Sequence, residues 1–306
     1  MKNTLRWISK ETAYLPAPVN TGFLVKNKKA VLVDSGLDRD HASKIIKALE
    51  GEGLTLIAII NTHSHADHCG GNAHLKKRLG VPVFAPLQEK AFIEQPYLEP
   101  FGLYGGAHPP AALQNKFLMA KPSLVDQGFS PDETLLDIGD FSITLIPLPG
   151  HSPQQTGILY GDVLFSADAL LGADYLDKHL IPFNSDIIRH RESLQRLGRI
   201  EHQICVPAHG RPMTELKPLL QRNEAALDMI DVWLMRQIRS PRSLDDLLGG
   251  FCQEYQIGLE TISQYHLYRT AFAAHLSALS ESGKARHVIS AGTMKWRSMD
   301  DREDKK

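Results

Sequence analysis

A chain of 306 residues, 42% hydrophobic and 23% charged, has the apolar content for one large core or a core plus an appendage, which excludes a disordered or fibrous protein. Its 34 basic and 35 acidic side chains leave a formal net charge of −1, so there is no overall electrostatic footprint for nucleic acid or an anionic membrane. Three cysteines, an odd number without paired spacing, argue against a disulfide framework.

The N-terminus lacks the apolar core of a signal peptide, and no stretch reaches the ~18 apolar residues of a membrane helix, so a cytoplasmic protein is expected. The stretch NTGFLVKNKKAVLVDSG reads as a hairpin, two β-rich runs joined by the polar turn KNKK. SGLDRDHASKIIKALEGEG then predicts a turn and an amphipathic helix, because Ala42, Ile45, Ile46 and Leu49 recur at helical spacing and glycines end the pattern. LTLIAIINT is apolar on both faces, as a strand inside a sheet must be. GGNAHLKKRLG continues as a helix and VPVFAP as a strand, and this alternation indicates an α/β fold.

Residues 87–130 carry little periodicity and read as a helical excursion or lid. Strand rhythm returns in ETLLDIGDFSITLIPLPG, QTGILYGDVLFSAD and HQICVPAHG. From about residue 215 three helical patterns follow, ELKPLLQRNEAALDMIDVWLMRQI, SLDDLLGGFCQEY and TISQYHLYRTAFAAHLSALSESG, separated by Pro, Gly and Ser breakers. KARHVISAGTMKWR reads as a small hairpin, and a charged tail closes the chain.

Where the strand LTLIAIINT ends, HSHADH puts His63, His65, Asp67 and His68 into six consecutive positions. Imidazole and carboxylate suit a borderline divalent ion such as zinc, and iron or manganese fits the same donors. One loop cannot surround two ions, so distant residues must complete the shells. Three candidates each stand just past an apolar strand: His151, Asp168 and His209. One end of the strands is where an α/β sheet holds its site.

These residues carry a resemblance. H-x-H-x-D-H at 63–68, P-G-H at 149–151, S-A-D ending in Asp168 and A-H-G at 208–210 resemble the ordered motifs of the metallo-β-lactamase superfamily, and AVLVDSG with Asp34 resembles its first motif. The match covers roughly residues 20–212. It implies an αββα sandwich over residues 1–214 that holds two metal ions, followed by a mainly helical, winged-helix-like region over 215–297 and a disordered tail over 298–306. By position, His63, His65 and His151 would bind the first ion, Asp67, His68 and His209 the second, and Asp168 would bridge them.

The superfamily's diiron oxidoreductase branch usually carries Glu where this chain has His65, and it adds a flavin domain for which the helical C-terminal ~90 residues are too short. Hydrolysis is therefore expected. Two ions about 3.5–4 Å apart can share a water and bring its pKa towards ~7, providing a bridging hydroxide for a small ester or thioester, as in enzymes similar to glyoxalase II. A lactone or phosphodiester would need the same metals. Asp67 would be catalytic, ligating an ion and orienting the nucleophile, while Asp34 would fix a ligand or its loop, with a turn-forming role an equal alternative.

The superfamily's PGHTPG is PGHSPQQ here, with Gln154 and Gln155 in place of small residues, and no set of basic residues for glutathione stands out. ADYLDKHLIPFNSD follows Asp168 and should run near the site, which makes Tyr175 or His179 a candidate substrate contact against the default of a surface or core role. The remaining histidines are expected in surface or core roles, and Cys69 as a buried inert thiol. The arginines of RQIRSPRS are followed at once by DDLL, so the C-terminal region reads as a packing or dimerisation module. The expected partner is a small-molecule substrate, with a second copy of the chain possible and nucleic acid disfavoured.

Overall fold

The computed structural model of the chain describes residues 4–299. A first sheet of seven strands runs in chain order from edge to edge: β1 (Arg6–Trp7), β2 (Thr12–Leu15), β3 (Thr21–Lys26), β4 (Lys29–Val33), β5 (Thr55–Ile60), β6 (Val83–Pro86) and β7 (Gln127–Phe129). The first four are antiparallel, and β4 to β7 are parallel. Asn27 and Lys28 join β3 to β4 with φ of 51° and 61°, a two-residue turn whose twist matches the flanking strands.

Parallel neighbours need crossovers, and helices supply them. α1 (Arg39–Glu52) starts where the Asp38 carboxylate accepts from the amides of Asp40 and His41, and it ends at the left-handed Gly53. α2 (Ala66–Cys69) and α3 (Asn72–Leu79) link β5 to β6. α4 (Leu87–Glu94), α5 (Leu98–Leu103) and the 3-10 turn Ala111–Leu113 lie between β6 and β7, within the stretch expected as a helical excursion.

A second sheet of five strands holds β8 (Leu135–Ile138), β9 (Phe141–Pro147), β10 (Thr156–Tyr160), β11 (Val163–Ala167) and β12 (Ile204–Pro207), in the order β12-β11-β10-β9-β8. Only β11 and β12 are parallel in it, and α6 (Ala173–Lys178) and α7 (Ile187–Leu197) form their crossover. The sheets pack face to face through Leu24, Val31 and Ile60 on one side and Phe141, Ile143 and Phe165 on the other. The alternate residues Phe23, Leu32 and Ile59 turn outward to Ile45 and Leu75 of the helical layer. Burial on both faces is why these strands read as unbroken apolar runs.

α8 (Lys217–Gln237), α9 (Leu244–Glu254) and α10 (Ile262–Glu281) match the three helical patterns, and the hairpin of β13 (Ala285–Ser290) and β14 (Thr293–Ser298) follows. They enclose a core of Trp233, Phe251, Phe272, Leu276 and Trp296. Ser243 and Asp246 cap α9 reciprocally. Leu219 and Leu227 of α8 and Ala274 of α10 join Leu194 and Leu197 of α7 beneath the second sheet. Ser298 still belongs to β14, and residues 300–306 of the expected tail lie outside the described residues. The short strands β1 and β2, the strand β7 at the end of the expected helical excursion, the short α6, and α7, whose polar face interrupts its apolar pattern, had no counterpart in the sequence reading. Among the described residues no helix is long and apolar enough to cross a membrane.

Candidate metal centre

The seven His and Asp residues singled out in the sequence stand on four loops that leave β5, β9, β11 and β12 at one edge of the sandwich. His63 follows β5, and the single turn of α2 swings Asp67 and His68 back over it. Gly70 and Gly71 let that turn press against the loop after β4: a Cβ on either would fall 1.8 Å from the Leu37 carbonyl oxygen or 2.3 Å from that of Ser35. Gly150 has a φ of +128°, and a Cβ there would sit 2.3 Å from the His190 amide, so only glycine lets this loop carry His151 so close to α7.

The donor atoms form three overlapping groups, His63/His65/His151, His63/His68/Asp168 and Asp67/His68/His209, each within 4.8 Å. His63 donates its Nδ1–H to the Thr62 hydroxyl at 3.0 Å, since that hydroxyl itself donates to Asp34, and His151 donates its Nδ1–H to the Phe183 carbonyl at 2.9 Å. These bonds assign the tautomers and turn both Nε2 atoms to Nδ1 of His65, at 3.2 and 2.9 Å. Burial holds His63 well below the usual imidazole range and His151 at about 3, so both rings are neutral near pH 7. Unshared pairs of neutral imidazoles facing one point are a cation's donor set.

The second half has the opposite electrostatics. His68 donates from Nδ1 to Asp34 at 2.8 Å, while its buried Nε2 and the buried Asp168 Oδ1, 3.4 Å apart, have no hydrogen-bond partner among the described residues. Asp168 Oδ2 lies 3.4 Å from Nε2 of both His151 and His209, and Asp67 Oδ2 lies 3.4 Å from Nε2 of His209. Burial opposes charge on His68 and His209, but Asp168 leads the nearby carboxylates in outweighing it, so His68 rises well above its ordinary value and His209 to about 10. Against the cost of its own burial, Asp67 is held at about 2 by His68 and His209. Orphaned buried atoms and paired carboxylates fit divalent cations, which would displace protons on binding.

Comparison with known proteins agrees with this geometry. The sequence model described as "Metallo-beta-lactamase superfamily" matches residues 14–209. The chain belongs to that superfamily. Among its relatives, the probable metallo-hydrolase YqgX of Bacillus subtilis is 27% identical over 203 residues, 66% of this chain and 89% of that protein. The hydroxyacylglutathione hydrolase GloC of Haemophilus influenzae is 26% identical over 179 residues, 53% of this chain and 78% of that protein. A beta-lactamase domain protein from Burkholderia ambifaria shares the fold with a TM-score of 0.77 at 19% identity, covering 97% of this chain and 95% of that one. The chain is a metal-dependent hydrolase of the metallo-beta-lactamase fold, the αββα sandwich with an added C-terminal helical region.

The replacements after His151 in the superfamily's motif have a structural reason. Glu89 of α4, fully buried, accepts from the amide and hydroxyl of Ser64 on one histidine loop and from Ser152 Oγ and Gln154 N on the other. Gln154 also accepts from Gln88 N and donates to the Phe129 carbonyl, and Gln155 accepts from the Asp168 amide at 3.2 Å and donates to the Leu148 carbonyl. Asp34 sits at a φ of +62°, where its two oxygens gather Thr62 N, Thr62 Oγ1 and His68 Nδ1, each at 2.8 Å. These contacts hold the loop after β5 and the His68 ring, one of the two roles expected of Asp34. Glu89 was not legible in the sequence, because no local pattern ties it to either loop.

Two adjoining cavities of about 200 and 170 Å³ open over His65 and His151. Tyr175 lines the larger one, its ring 4.9 Å from that of His209, and burial with the charges of Asp168 and Asp67 pushes its phenol up. His179 lines neither cavity and stacks against Tyr175 at 4.5 Å, so of that pair only Tyr175 faces the site. α5 and the residues near the 3-10 turn form a roof with α10, where Asn115 donates to Ser263 at 3.0 Å and the rings of Tyr104 and His266 meet at 5.3 Å. Cys69 is buried and donates to the Ser64 carbonyl, its thiol pushed up by burial and the nearby carboxylates.

Proposed function

We propose that this chain is a dinuclear hydrolase of a small ester or thioester. His63, His65 and His151 would hold one divalent ion, Asp67, His68 and His209 the other, and Asp168 both; zinc is the ion proposed. The observation that carries the reading is the placement of Asp168, one oxygen 3.4 Å from His68 Nε2 and the other 3.4 Å from His151 and His209 Nε2. The GloC relative, a hydroxyacylglutathione hydrolase by name, supports thioester cleavage. Bound ions would supply Lewis acidity and a nucleophile drawn from water near neutral pH.

The chain's own residues do the rest. Asp67, less buried than Asp168, accepts from the attacking water and orients it. Thr62, Asp34 and the Phe183 carbonyl fix the imidazole tautomers, so the ligating nitrogens need no reorganisation. Tyr175, whose phenol is pushed up by burial, offers its O–H to the substrate carbonyl or leaving group. Metal analysis of the purified protein is expected to give about two ions per chain, and D168N to lower kcat/KM for the best thioester at least ~100-fold. Full activity after exhaustive chelation would overturn the proposal.

A further inference from the structure

The two cavities over His65 and His151 differ from a site for an anionic substrate. Their walls are Phe92, Leu103, Phe117, Leu118, Phe183 and Leu267, contributed by α4, α5, the segment after the 3-10 turn, the loop after α6, and α10. Among the described residues no lysine or arginine lines either one. Lys116, next to Phe117, is exposed and paired with Asp38 at 2.9 Å. Apart from the candidate ligands, Glu99 of α5 is the one acidic group in the lining, and it borders both cavities. Among the described residues its carboxylate has no hydrogen-bond or ion-pair partner, unlike Glu89 of α4, which accepts four hydrogen bonds.

An apolar wall pays nothing towards desolvating a carboxylate or phosphate on a substrate, and a fixed acid beside it adds repulsion. A group that donates, or carries positive charge, would meet an acceptor already in place. We propose that Glu99 is a specificity-determining residue, and that the cavity takes an ester or thioester whose flanking groups are apolar and neutral or cationic, excluding anionic conjugates of the glutathione kind. The inference rests on the ester or thioester reading above for the bond that is cleaved, but the recognition it describes can be measured without cleavage.

The experiment uses non-hydrolysable S-butyl thioethers of thiocholine, N-acetylcysteamine and 2-mercaptoethanesulfonate, which are cationic, neutral and anionic; sulfonate is a weak metal ligand. Binding to the metal-loaded protein is measured by calorimetry, for the wild type, E99Q and E99K. The wild type is expected to bind the cation at least ~10-fold more tightly than the anion, with the neutral compound between them. E99Q should shrink that ratio to less than about threefold, and E99K should invert it. Equal binding of the three compounds, an undiminished ratio in E99Q, or no binding of any of them to the wild type overturns the inference. Failure of the underlying reading looks different: no S-butyryl thioester of these thiols is hydrolysed, while the binding order stands.

Discussion

Glu89 is fully buried, and its oxygens accept from Ser64, which separates His63 from His65, and from Ser152 and Gln154, which follow His151. A carboxylate withdrawn from water costs several kcal/mol unless such donors surround it, so acid and loops hold one another. In E89Q a donor amide faces those donors, and both loops lose their common anchor. Metal affinity is expected to fall about 10–100-fold in E89Q, read by competition with a chromogenic chelator, while the circular dichroism spectrum of the folded protein is kept. Unchanged affinity would mean that the loops keep their shape without this acid. The seven His and Asp positions were legible because ligand chemistry admits few residue types and each stands just past a strand. Glu89 and Glu99 were not, since a buried acceptor or a cavity acid can come from any segment that folds nearby; Glu89 is 25 residues from Ser64 and 63 from Ser152.

Elements with strong periodicity declared themselves in the sequence, among them α1, β5 and the three C-terminal helices, because each buries a continuous stripe or face. The two-residue β1 has no pattern to read, and what α10 packs against could not be read from its own residues. α10 in fact faces two ways. Phe272 is fully buried against Phe251 and Trp233, with ring centroids at 5.3 and 6.4 Å, while Leu267 and Thr270 reach the cavities over the site. None of the candidate ligands lies on α8, α9 or α10. F272A is therefore expected to cost about 3–5 kcal/mol by cavity formation, lowering the melting temperature. It should raise KM through the displaced α10 wall, while metal content at room temperature stays that of the wild type. Loss of metal in step with loss of stability would show that this helix also supports the ligand loops.

At the scale of the whole molecule, the site joins both sheets, since β5 belongs to the first and β9, β11 and β12 to the second. Global unfolding therefore disperses it, and pH acts on it through groups outside the candidate ligand set as well as through the candidate ligands themselves. His41 is such a group. It is buried on α1, its Nε2 2.9 Å from Thr21 Oγ1, and a Cβ on Gly36 would lie 2.2 Å from its ring. Burial, helped by the charge of Lys44 and opposed by Asp38, lowers its pKa to about 4, whereas an unfolded histidine titrates near about 6.5. Between those values the unfolded chain binds a proton that the folded chain refuses. Its contribution to stability is thus complete above pH ~6.5 and is lost as pH falls towards ~4, on the order of 2–3 kcal/mol. Urea unfolding of metal-free wild type and His41→Gln at pH 7.5 and 4.5 isolates this part, because protonation of the candidate ligands is common to both proteins. The stability lost on acidification is expected to be smaller in H41Q by on the order of 2 kcal/mol, and equal losses in the two proteins would show that His41 does not couple folding to pH.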